Sequence, residues 1–326
     1  MLEIVAPGPL LTIQDAGRPG LAHLGVPPSG AADPWACTAA NLLAGAPPGA
    51  PALEVTLGGT WLRATETCTI AVAGADLGAE LDDGRRLPPG STHRLPAGAG
   101  LRFGGGPSGM RAYIALAGGV DVPAVLGSAS TCLPAGLGGM DGRALRTGDP
   151  VRPVLRGDPG GDGRRWPVGL APHPSVSHGP LRFVPGPDTR HLPSGIAREL
   201  AARTWRVGES SDRMGIRLDG APLPAGREIL SHPMLTGAIQ VPADGRPVIL
   251  FVDGPTIGGY PVVGVVPRWE WPRLGQLRPG DEITFATQDV AEARAAWRAQ
   301  LEALATAARE LRTDALWDRL ADGAGG

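Results

Sequence analysis

The sequence predicts a mainly β protein built from two β units in tandem, and three observations support this fold class. The chain has 50 glycines and 35 prolines among 326 residues. They lie between short apolar runs such as Leu53–Leu57, Thr69–Ala73 and Val248–Val252, as turns lie between strands. The sequence Leu145–Val151 also returns, in the same order of residue types, as Leu277–Ile283. Each copy predicts a tight turn before the closing strand of one unit.

The first unit is predicted to span residues 1–154 and to contain a stiff loop followed by a helix. The run Gly25–Pro34 reads GVPPSGAADP, in which the prolines favour extended backbone and Ser29 begins a turn. Asp33 and Pro34 are typical of the cap and first position of a helix, and Gly45 is placed to end it. Backbone N–H groups at such a loop could bind an anion, or the run could be a capped helix after a proline turn. The residues leave both interpretations open.

A Gly/Pro-rich linker is predicted over residues 155–177, followed by the second β unit over 178–288. A short helix is expected at Ser194–Ala202, with Ser194 as its cap. Residues 289–326 are predicted to be a C-terminal helical segment, because apolar residues recur at helical spacing from Val290 to Leu320.

The charged residues exclude several classes of function. The net charge is −2, the pI is near 6.3, and all 30 basic residues are arginines scattered along the chain. We therefore expect neither nucleic acid nor a membrane surface as partner. The absence of lysine excludes a Schiff base, a P-loop lysine and a biotinylated lysine on this chain. An anionic ligand must be held by arginine, by backbone N–H groups or by a metal.

Cysteine and histidine spacing gives no metal motif. The three cysteines lie far apart, and the histidines form no close metal-binding pair. We find no signal peptide and no apolar run of membrane-spanning length, so the chain is expected to be cytoplasmic.

Three stretches carry residue types suited to chemistry. In the run Ser211-Asp212-Arg213, the guanidinium suits a substrate carboxylate or phosphate and Asp212 suits an orienting or proton-accepting role, while a surface turn is the alternative. The glycines before Tyr260 allow close approach to a ligand, or form a bulge. Asp76 follows an apolar strand, where it is either an active-site acid or a turn residue.

Many runs together resemble one protein family, in order, from about Leu2 to Phe285. The family is that of the 5-oxoprolinase C subunit, also called KipA-like, allophanate hydrolase subunit 2 or biotin-dependent carboxyltransferase. The chain departs from the family pattern at Gly254–Ile257, where Gln-Thr-Thr is usual, and at Ile216, where tyrosine is usual. The matching runs are GVPPSGAADP (25–34), ALEVTLGG (52–59), AGADL (73–77), RAYIALAGGVDVPAVLGSAS (111–130), SSDRMGIRL (210–218), GAIQVPADGRPVIL (237–250), GGYP (258–261) and PRLGQLRPGD (272–281).

The resemblance implies two cyclophilin-like β-barrels in tandem, with a few short helices and the C-terminal helix. It implies ATP-dependent hydrolysis of 5-oxoproline to glutamate, in a complex with the B-type (KipI-like) and A-type subunits of the same enzyme. ATP with magnesium would act in the assembled complex, with no covalent cofactor on this chain. Two alternatives stay open: a carboxyltransferase that uses carrier-borne biotin, as in urea carboxylase, and a non-enzymatic KipA-type regulator that binds a kinase-inhibitor partner.

The resemblance and the residue chemistry together indicate site residues for a small anionic substrate. The expected catalytic residues are Asp76, Asp212 and Arg213. The expected substrate-binding residues are Pro28, Ser29, Gly30, Arg111, Ser211, Gln240, Thr256, Gly258, Gly259 and Tyr260.

Overall fold

Strands joined by glycine and proline turns form the framework of the chain, which confirms the predicted mainly β class. The computed structural model describes residues 1–155, 161–167, 179–186, 188, 192–224 and 228–323, with side chains only to 312 in the last range. The chain divides into two units. Unit 1 comprises Met1–Gly17, Asp33–His173 and Leu301–Gly326, and unit 2 comprises Arg18–Ala32 and Pro174–Gln300.

The described residues of unit 1 form ten strands in two antiparallel five-stranded sheets. The first sheet has the order β10-β1-β4-β8-β6 and the second has the order β2-β3-β9-β5-β7. One apolar core takes side chains from both sheets, including Ile4 and Phe103 from the first and Val55 and Ile114 from the second. The strands are β1 (Leu2–Pro7), β2 (Leu10–Gln14), β3 (Ala52–Thr56), β4 (Thr60–Ala64), β5 (Cys68–Gly74), β6 (Ala79–Leu81), β7 (Ser91–Leu95), β8 (Gly100–Phe103), β9 (Arg111–Leu116) and β10 (Pro150–Val151).

Helix α1 (Pro34–Leu43) packs on strands β3, β5 and β9 of the second sheet. Its start confirms the predicted cap, because the Asp33 side chain accepts a hydrogen bond from the Ala36 N–H at 2.9 Å and Pro34 takes the first position. The helix is followed by Gly45 at φ +69°. A carboxylate of the chain itself therefore occupies the N-terminus of α1.

The predicted linker lies largely outside the described residues. Its described part, residues 161–167, is attached to unit 1. The Arg94 N–H donates to the Asp162 carboxylate at 2.8 Å, and the Trp166 N–H donates to the Gly90 carbonyl at 2.8 Å. The predicted boundaries at residues 154, 177 and 288 stay predictions.

Unit 2 is organised by an eight-stranded sheet whose two end strands are neighbours in the sequence. The order is β19-β12-β13-β16-β15-β18-β11-β20, and β14 pairs with β17 in a separate ribbon. Because one residue separates β19 from β20, the chain passes directly from one end of the sheet to the other, which gives a nearly closed barrel. The strands are β11 (Leu181–Pro185), β12 (Trp205–Val207), β13 (Gly215–Asp219), β14 (His232–Pro233), β15 (Ala238–Gln240), β16 (Val248–Leu250), β17 (Ile257–Gly258), β18 (Val262–Val265), β19 (Glu282–Ile283) and β20 (Phe285–Thr287).

The first of the two predicted turns precedes β10 in unit 1. The Asp149 carboxylate accepts from the Arg146 N–H at 2.7 Å, and Gly148 has φ +89°. The turn binds β1, because the Gly148 N–H donates to the Ile4 carbonyl at 2.8 Å and the Ile4 N–H donates to the Asp149 carbonyl at 3.1 Å.

The second turn repeats this arrangement before β19 in unit 2. The Asp281 carboxylate accepts from the Arg278 N–H at 2.8 Å, and Gly280 has φ +91°. The Gly280 N–H donates to the Val207 carbonyl at 2.7 Å, and the Val207 N–H donates to the Asp281 carbonyl at 2.9 Å. The internal repeat predicted from the sequence is thus confirmed at the level of individual hydrogen bonds.

The described helices that lie entirely in unit 2 are short. Helix α2 (Ile196–Ala201) is preceded by Gly195 at φ +84° and has no side-chain cap, so the predicted capping role of Ser194 is wrong. A 3₁₀ turn, Arg268–Glu270, leads into α3 (Trp271–Leu274). The predicted C-terminal helix is confirmed as α4 (Val290–Gly323). Among the described residues, no helix combines the length and the apolar composition that crossing a bilayer requires.

Candidate functional site

The loop that carries Ser29 is held inside unit 2 by backbone hydrogen bonds. The Arg18 N–H donates to the Pro28 carbonyl at 2.7 Å, and the Ser29 N–H donates to the Val252 carbonyl at 2.9 Å. Ser29 has φ +52° and Gly30 has φ +93°, so two consecutive residues lie in the left-handed region. A serine there is strained, and such strain persists only where other contacts fix the backbone.

Those contacts come from a buried ion pair. The Ser29 hydroxyl donates to Oδ1 of Asp253 at 2.6 Å. Arg213 donates to the same carboxylate from Nε at 2.7 Å and from Nη2 at 3.2 Å, and Nη2 also donates to the Gly30 carbonyl at 2.7 Å. The side chains of Arg213 and Asp253 are 6% and 1% exposed, so their opposite charges compensate each other out of water. We call Ser29, Gly30, Arg213 and Asp253 the Ser29 cluster.

The ion pair forms between the turn before β13 and the segment after β16. Arg213 lies in the turn before β13, and Asp253 follows the end of β16. The Asp253 N–H donates to the Arg213 carbonyl at 2.9 Å, and the Phe251 N–H donates to the Met214 carbonyl at 2.9 Å. Backbone hydrogen bonds therefore hold the two residues side by side, in addition to the interaction of their charges.

Ser211 and Asp212 order the turn that carries Arg213. Oδ1 of Asp212 accepts from the N–H groups of Met214 and Gly215 at 2.8 and 3.0 Å. The Ser211 hydroxyl accepts from the Arg217 N–H at 3.1 Å. These bonds give both residues a structural role, and their predicted contact with a substrate stays a prediction.

A second group of predicted residues lies around Gly258. Nε2 of the buried Gln240 is 3.4 Å from the Tyr260 carbonyl and 3.3 Å from the Met234 sulfur. The Thr256 carbonyl accepts from the Met234 N–H at 2.8 Å. A Cβ atom on Gly258 would lie 2.7 Å from Nε2 of Gln240, so only glycine fits without displacing that amide.

The structure thus gathers most of the predicted site residues in unit 2. The segment 253–260 runs from the Ser29 cluster to the residues around Gly258. We call Gly258–Val262 the Gly258 loop. Its start is paired in the ribbon of β14 and β17, and the Gly259 carbonyl accepts from the Ile229 N–H at 2.8 Å. This segment has one partner of a buried ion pair at its start and a glycine-rich loop at its end, which suits a ligand site.

Asp76 and Arg111 belong to unit 1. Asp76 lies in an exposed turn after β5, where it accepts from the Gly78 N–H at 3.0 Å and lies 3.7 Å from the exposed Arg86. Arg111 is 3% exposed, and its Nε is 3.5 Å from the fully buried Glu54. Their predicted roles at a substrate stay predictions.

Glu54 is the centre of a buried polar network under α1. The Tyr113 hydroxyl donates to Glu54 at 2.6 Å and accepts from the Asp33 N–H at 2.9 Å. Burial, and then the Glu54 charge, raise the pKa of Tyr113 and of the Cys37 thiol well above their ordinary values. Both side chains are therefore protonated at neutral pH and act as structural groups.

Sequence reasoning missed Asp253 and Glu54. A signal existed for each, because Asp253 is the first charge after the apolar run Val248–Val252 and Glu54 interrupts the apolar strand β3. In the part of the chain that the structure describes, His, Cys, Asp and Glu side chains do not gather in groups of three or more that could hold a metal ion.

Sequence comparison places this architecture among known proteins. The chain is 36% identical over 309 residues to the 5-oxoprolinase C subunit of Escherichia coli K12, with 90% of this chain and 93% of that protein covered. It is 34% identical over 314 residues to the urea amidolyase of Saccharomyces cerevisiae, where the match covers 87% of this chain and only 16% of that protein.

Structure comparison also finds a urea carboxylase. The crystal structure of the Kluyveromyces lactis urea carboxylase matches with a TM-score of 0.83 and 29% identity, over 94% of this chain and 29% of that chain. The family model of the carboxyltransferase domain, subdomain A and B, matches residues 24–287, which include both the Ser29 cluster and the Gly258 loop. The chain therefore belongs to the carboxyltransferase domain family.

Proposed function

We propose that this chain is one component of a heteromeric 5-oxoprolinase, which hydrolyses 5-oxoproline to glutamate with ATP and acts only in complex with its B-type and A-type subunits. One observation carries the proposal. The match to the C subunit of E. coli covers 93% of that protein and 90% of this chain, whereas the match to yeast urea amidolyase covers 16% of a much longer protein.

The Ser29 cluster and the Gly258 loop are the parts of unit 2 that we assign to the substrate. 5-Oxoproline has a carboxylate and a cyclic amide, which call for hydrogen-bond donors and a fixed backbone. We assign Arg213 and Asp253 to holding the Ser29 loop in its strained form. Because Nε and Nη2 of Arg213 already bind Asp253 and Gly30, its main effect on the substrate acts through this loop.

ATP and magnesium are assigned to the assembled complex. The chain has no lysine for a phosphate group, and no side-chain cluster suited to a metal is found among its described residues.

The test is co-expression of this chain with candidate B-type and A-type subunits. Glutamate and ADP formation from 5-oxoproline and ATP is measured for the full set and with each chain omitted in turn. We expect glutamate formation to disappear when this chain is left out. Turnover that continues without it contradicts the proposal.

A variant pair then tests the assigned site. Arg213→Lys loses the two-point contact with Asp253, since lysine cannot bind the carboxylate as a fork. We expect glutamate formation to fall by about 100-fold while the complex still assembles on size-exclusion chromatography. The matched control is Arg246→Lys, an exposed arginine 3.6 Å from Asp219 whose replacement leaves turnover unchanged. Wild-type turnover in Arg213→Lys removes the site assignment.

A carboxyltransferase that uses carrier-borne biotin is the second candidate. The 34% identity to yeast urea amidolyase favours it, and a chain without lysine requires the biotin to be on another chain. Bicarbonate-dependent turnover with a biotinylated partner supports this candidate. A stable complex without any turnover supports a regulator of the KipA type.

A further inference from the structure

Asp188 and His232 form an acid–base pair in unit 2, apart from the residues assigned above. Nε2 of His232 lies 3.1 Å from Oδ2 of Asp188, and the two side chains are 31% and 10% exposed. Nδ1 of the same ring lies 3.2 Å from the Pro233 carbonyl oxygen. Both ring nitrogens thus lie close to oxygen atoms, and Nε2 contacts the Asp188 carboxylate at ion-pair distance without the alignment of a hydrogen bond.

Each member of the pair is attached to one end of the Gly258 loop. The His232 backbone pairs with Gly258 in the ribbon of β14 and β17. Oδ2 of Asp188 accepts from the Val262 N–H at 3.2 Å, at the first residue of β18. A contact between the two side chains therefore connects the two ends of a five-residue loop.

The loop between these attachments is tightly packed. Gly258 leaves no room for a Cβ beside the Gln240 amide, and that amide lies 3.4 Å from the Tyr260 carbonyl. A side chain on Gly259 would contact the Ser231 hydroxyl at 3.4 Å. A shift of either end of the loop would therefore change the position of Tyr260 relative to Gln240.

We propose that Asp188 and His232 are positioning residues, and that their contact clasps the Gly258 loop in the conformation that receives the substrate. The effect of this contact on the substrate rests on the proposed function, because that proposal assigns the loop to the substrate. The effect of the contact on the conformation of the loop does not depend on it. Neither residue lies in the sequence runs that suggested a site. The sequence gives no signal for their pairing, because it depends on a contact between distant segments.

The Val262 amide proton gives a local probe of the clasp. Its donor bond goes to the Asp188 side chain, so its exchange with solvent reports on this contact. The Val266 N–H, bonded to the Gly237 carbonyl at 2.8 Å, is a backbone control at the other end of β18. Amide exchange is measured by NMR on the full chain for the wild type, Asp188→Asn, His232→Ala and the double variant.

We expect exchange at Val262 to rise about tenfold or more in each single variant, with Val266 unchanged. Because the two residues act as one unit, the double variant is expected to exchange no faster than the faster single variant. Asp219→Asn, at an exposed ion pair of unit 2, is the matched control and leaves both amides unchanged. Unchanged exchange at Val262, an equal rise at Val266, or multiplied effects in the double variant each overturn the clasp.

Kinetics of the assembled complex test the effect on the substrate. If the clasp positions the loop, His232→Ala raises KM for 5-oxoproline about tenfold with a smaller change in kcat. His232→Gln, which keeps a polar side chain beside Asp188, recovers much of that loss. Unchanged KM in a variant whose Val262 exchange has risen overturns the positioning role. A wild-type complex that makes no glutamate contradicts the proposed function instead, and the exchange measurement still decides the clasp.

Discussion

Arg213 and Asp253 are 40 residues apart in the sequence, and two hydrogen bonds of 2.7 and 3.2 Å join their side chains in the structure. Replacing one partner of a buried pair leaves the other charge without compensation, and this cost exceeds the net contribution of the intact pair. The pair is therefore a sensitive point for the stability of unit 2 as well as for the Ser29 loop.

Asp253→Asn tests this directly. The amide keeps the shape of the carboxylate but removes its charge, so we expect the free energy of unfolding to fall by about 3 kcal/mol or more, measured by urea denaturation. Asp219→Asn, at the exposed pair with Arg246, should change it by less than about 0.5 kcal/mol. Equal effects of the two substitutions would mean that burial does not govern the cost.

Ser29 allows the strain and the hydrogen bond to be separated. Ser29→Ala keeps a Cβ at φ +52° and loses the bond to Asp253, whereas Ser29→Gly loses the bond but relieves the strain. We expect the glycine variant to be more stable than the alanine variant by about 1 kcal/mol in urea denaturation. An alanine variant as stable as the glycine variant would contradict the strained conformation.

Single residues also mark the limit of what the sequence predicts at the site. A carboxylate directly after an apolar strand suggested Asp76, which lies in an exposed turn, and the same signal applies to Asp253, which is buried in the ion pair. The two aspartates differ in the side chains that they face in the folded structure. Those partners depend on contacts between distant segments of the chain. The pairing of Asp188 with His232 was out of reach for the same reason.

At the scale of helices and turns, the local sequence was sufficient to predict several features. The cap of α1 and the two repeated turns are each decided within about four residues, and the structure confirms them. The prediction that Ser194 caps α2 was wrong. Gly195, the next residue, adopts φ +84° and begins the helix without a side-chain hydrogen bond.

The repeated turns give a matched pair of substitutions, one in each unit. Gly148 and Gly280 have φ +89° and +91°, and a Cβ on either would meet no atom within 4 Å. Gly148→Ala and Gly280→Ala therefore differ from wild type only in backbone strain. We expect each to lower the free energy of unfolding by about 1–2 kcal/mol, and by equal amounts within about 0.5 kcal/mol. A large difference in urea denaturation would show that the turns are not equivalent.

The first turn also predicts a pH dependence. Hydrogen bonds from Arg143, at 2.6 and 3.0 Å, hold the pKa of Asp149 below its ordinary value of 3.8. The folded chain then binds fewer protons there than the unfolded chain, so this stabilisation is complete above the ordinary pKa and is lost as the pH falls through the lowered one. Asp149→Asn should be less stable than wild type at about pH 6, and the difference should shrink by about pH 3. A difference that is the same at both pH values would contradict this assignment.

At the scale of the whole molecule, the absence of lysine means that any biotin in the assembly lies outside this sequence, and its detection on a partner separates the two candidate enzymes. A biotin ligase acts on a lysine, so this chain of 33.4 kDa cannot carry biotin. On an avidin blot of the co-expressed complex, we expect no signal at this mass. A biotinylated partner that co-purifies with the chain would favour the carboxyltransferase, and a blank blot from an active complex would favour the 5-oxoprolinase.

The mainly β class was predictable from turn residues spread along the whole chain, and the repeated turns at Leu145–Val151 and Leu277–Ile283 indicated two β units. The assignment of Arg18–Ala32 to unit 2 was not predictable, because the sequence around this segment continues in unit 1 on both sides. No local pattern distinguishes a segment that stays with its neighbours from one that packs against residues synthesised much later.

That segment has a consequence for synthesis on the ribosome. Ser29 leaves the ribosome 224 residues before Asp253, its hydrogen-bond partner. At about 5–20 residues per second, the loop waits on the order of 10–45 s before its partners exist. During this time β2 on one side of it and α1 on the other have the strands they need to fold. Translation speed along residues 30–253 therefore sets how long the nascent chain carries an open loop that a chaperone or a protease can reach.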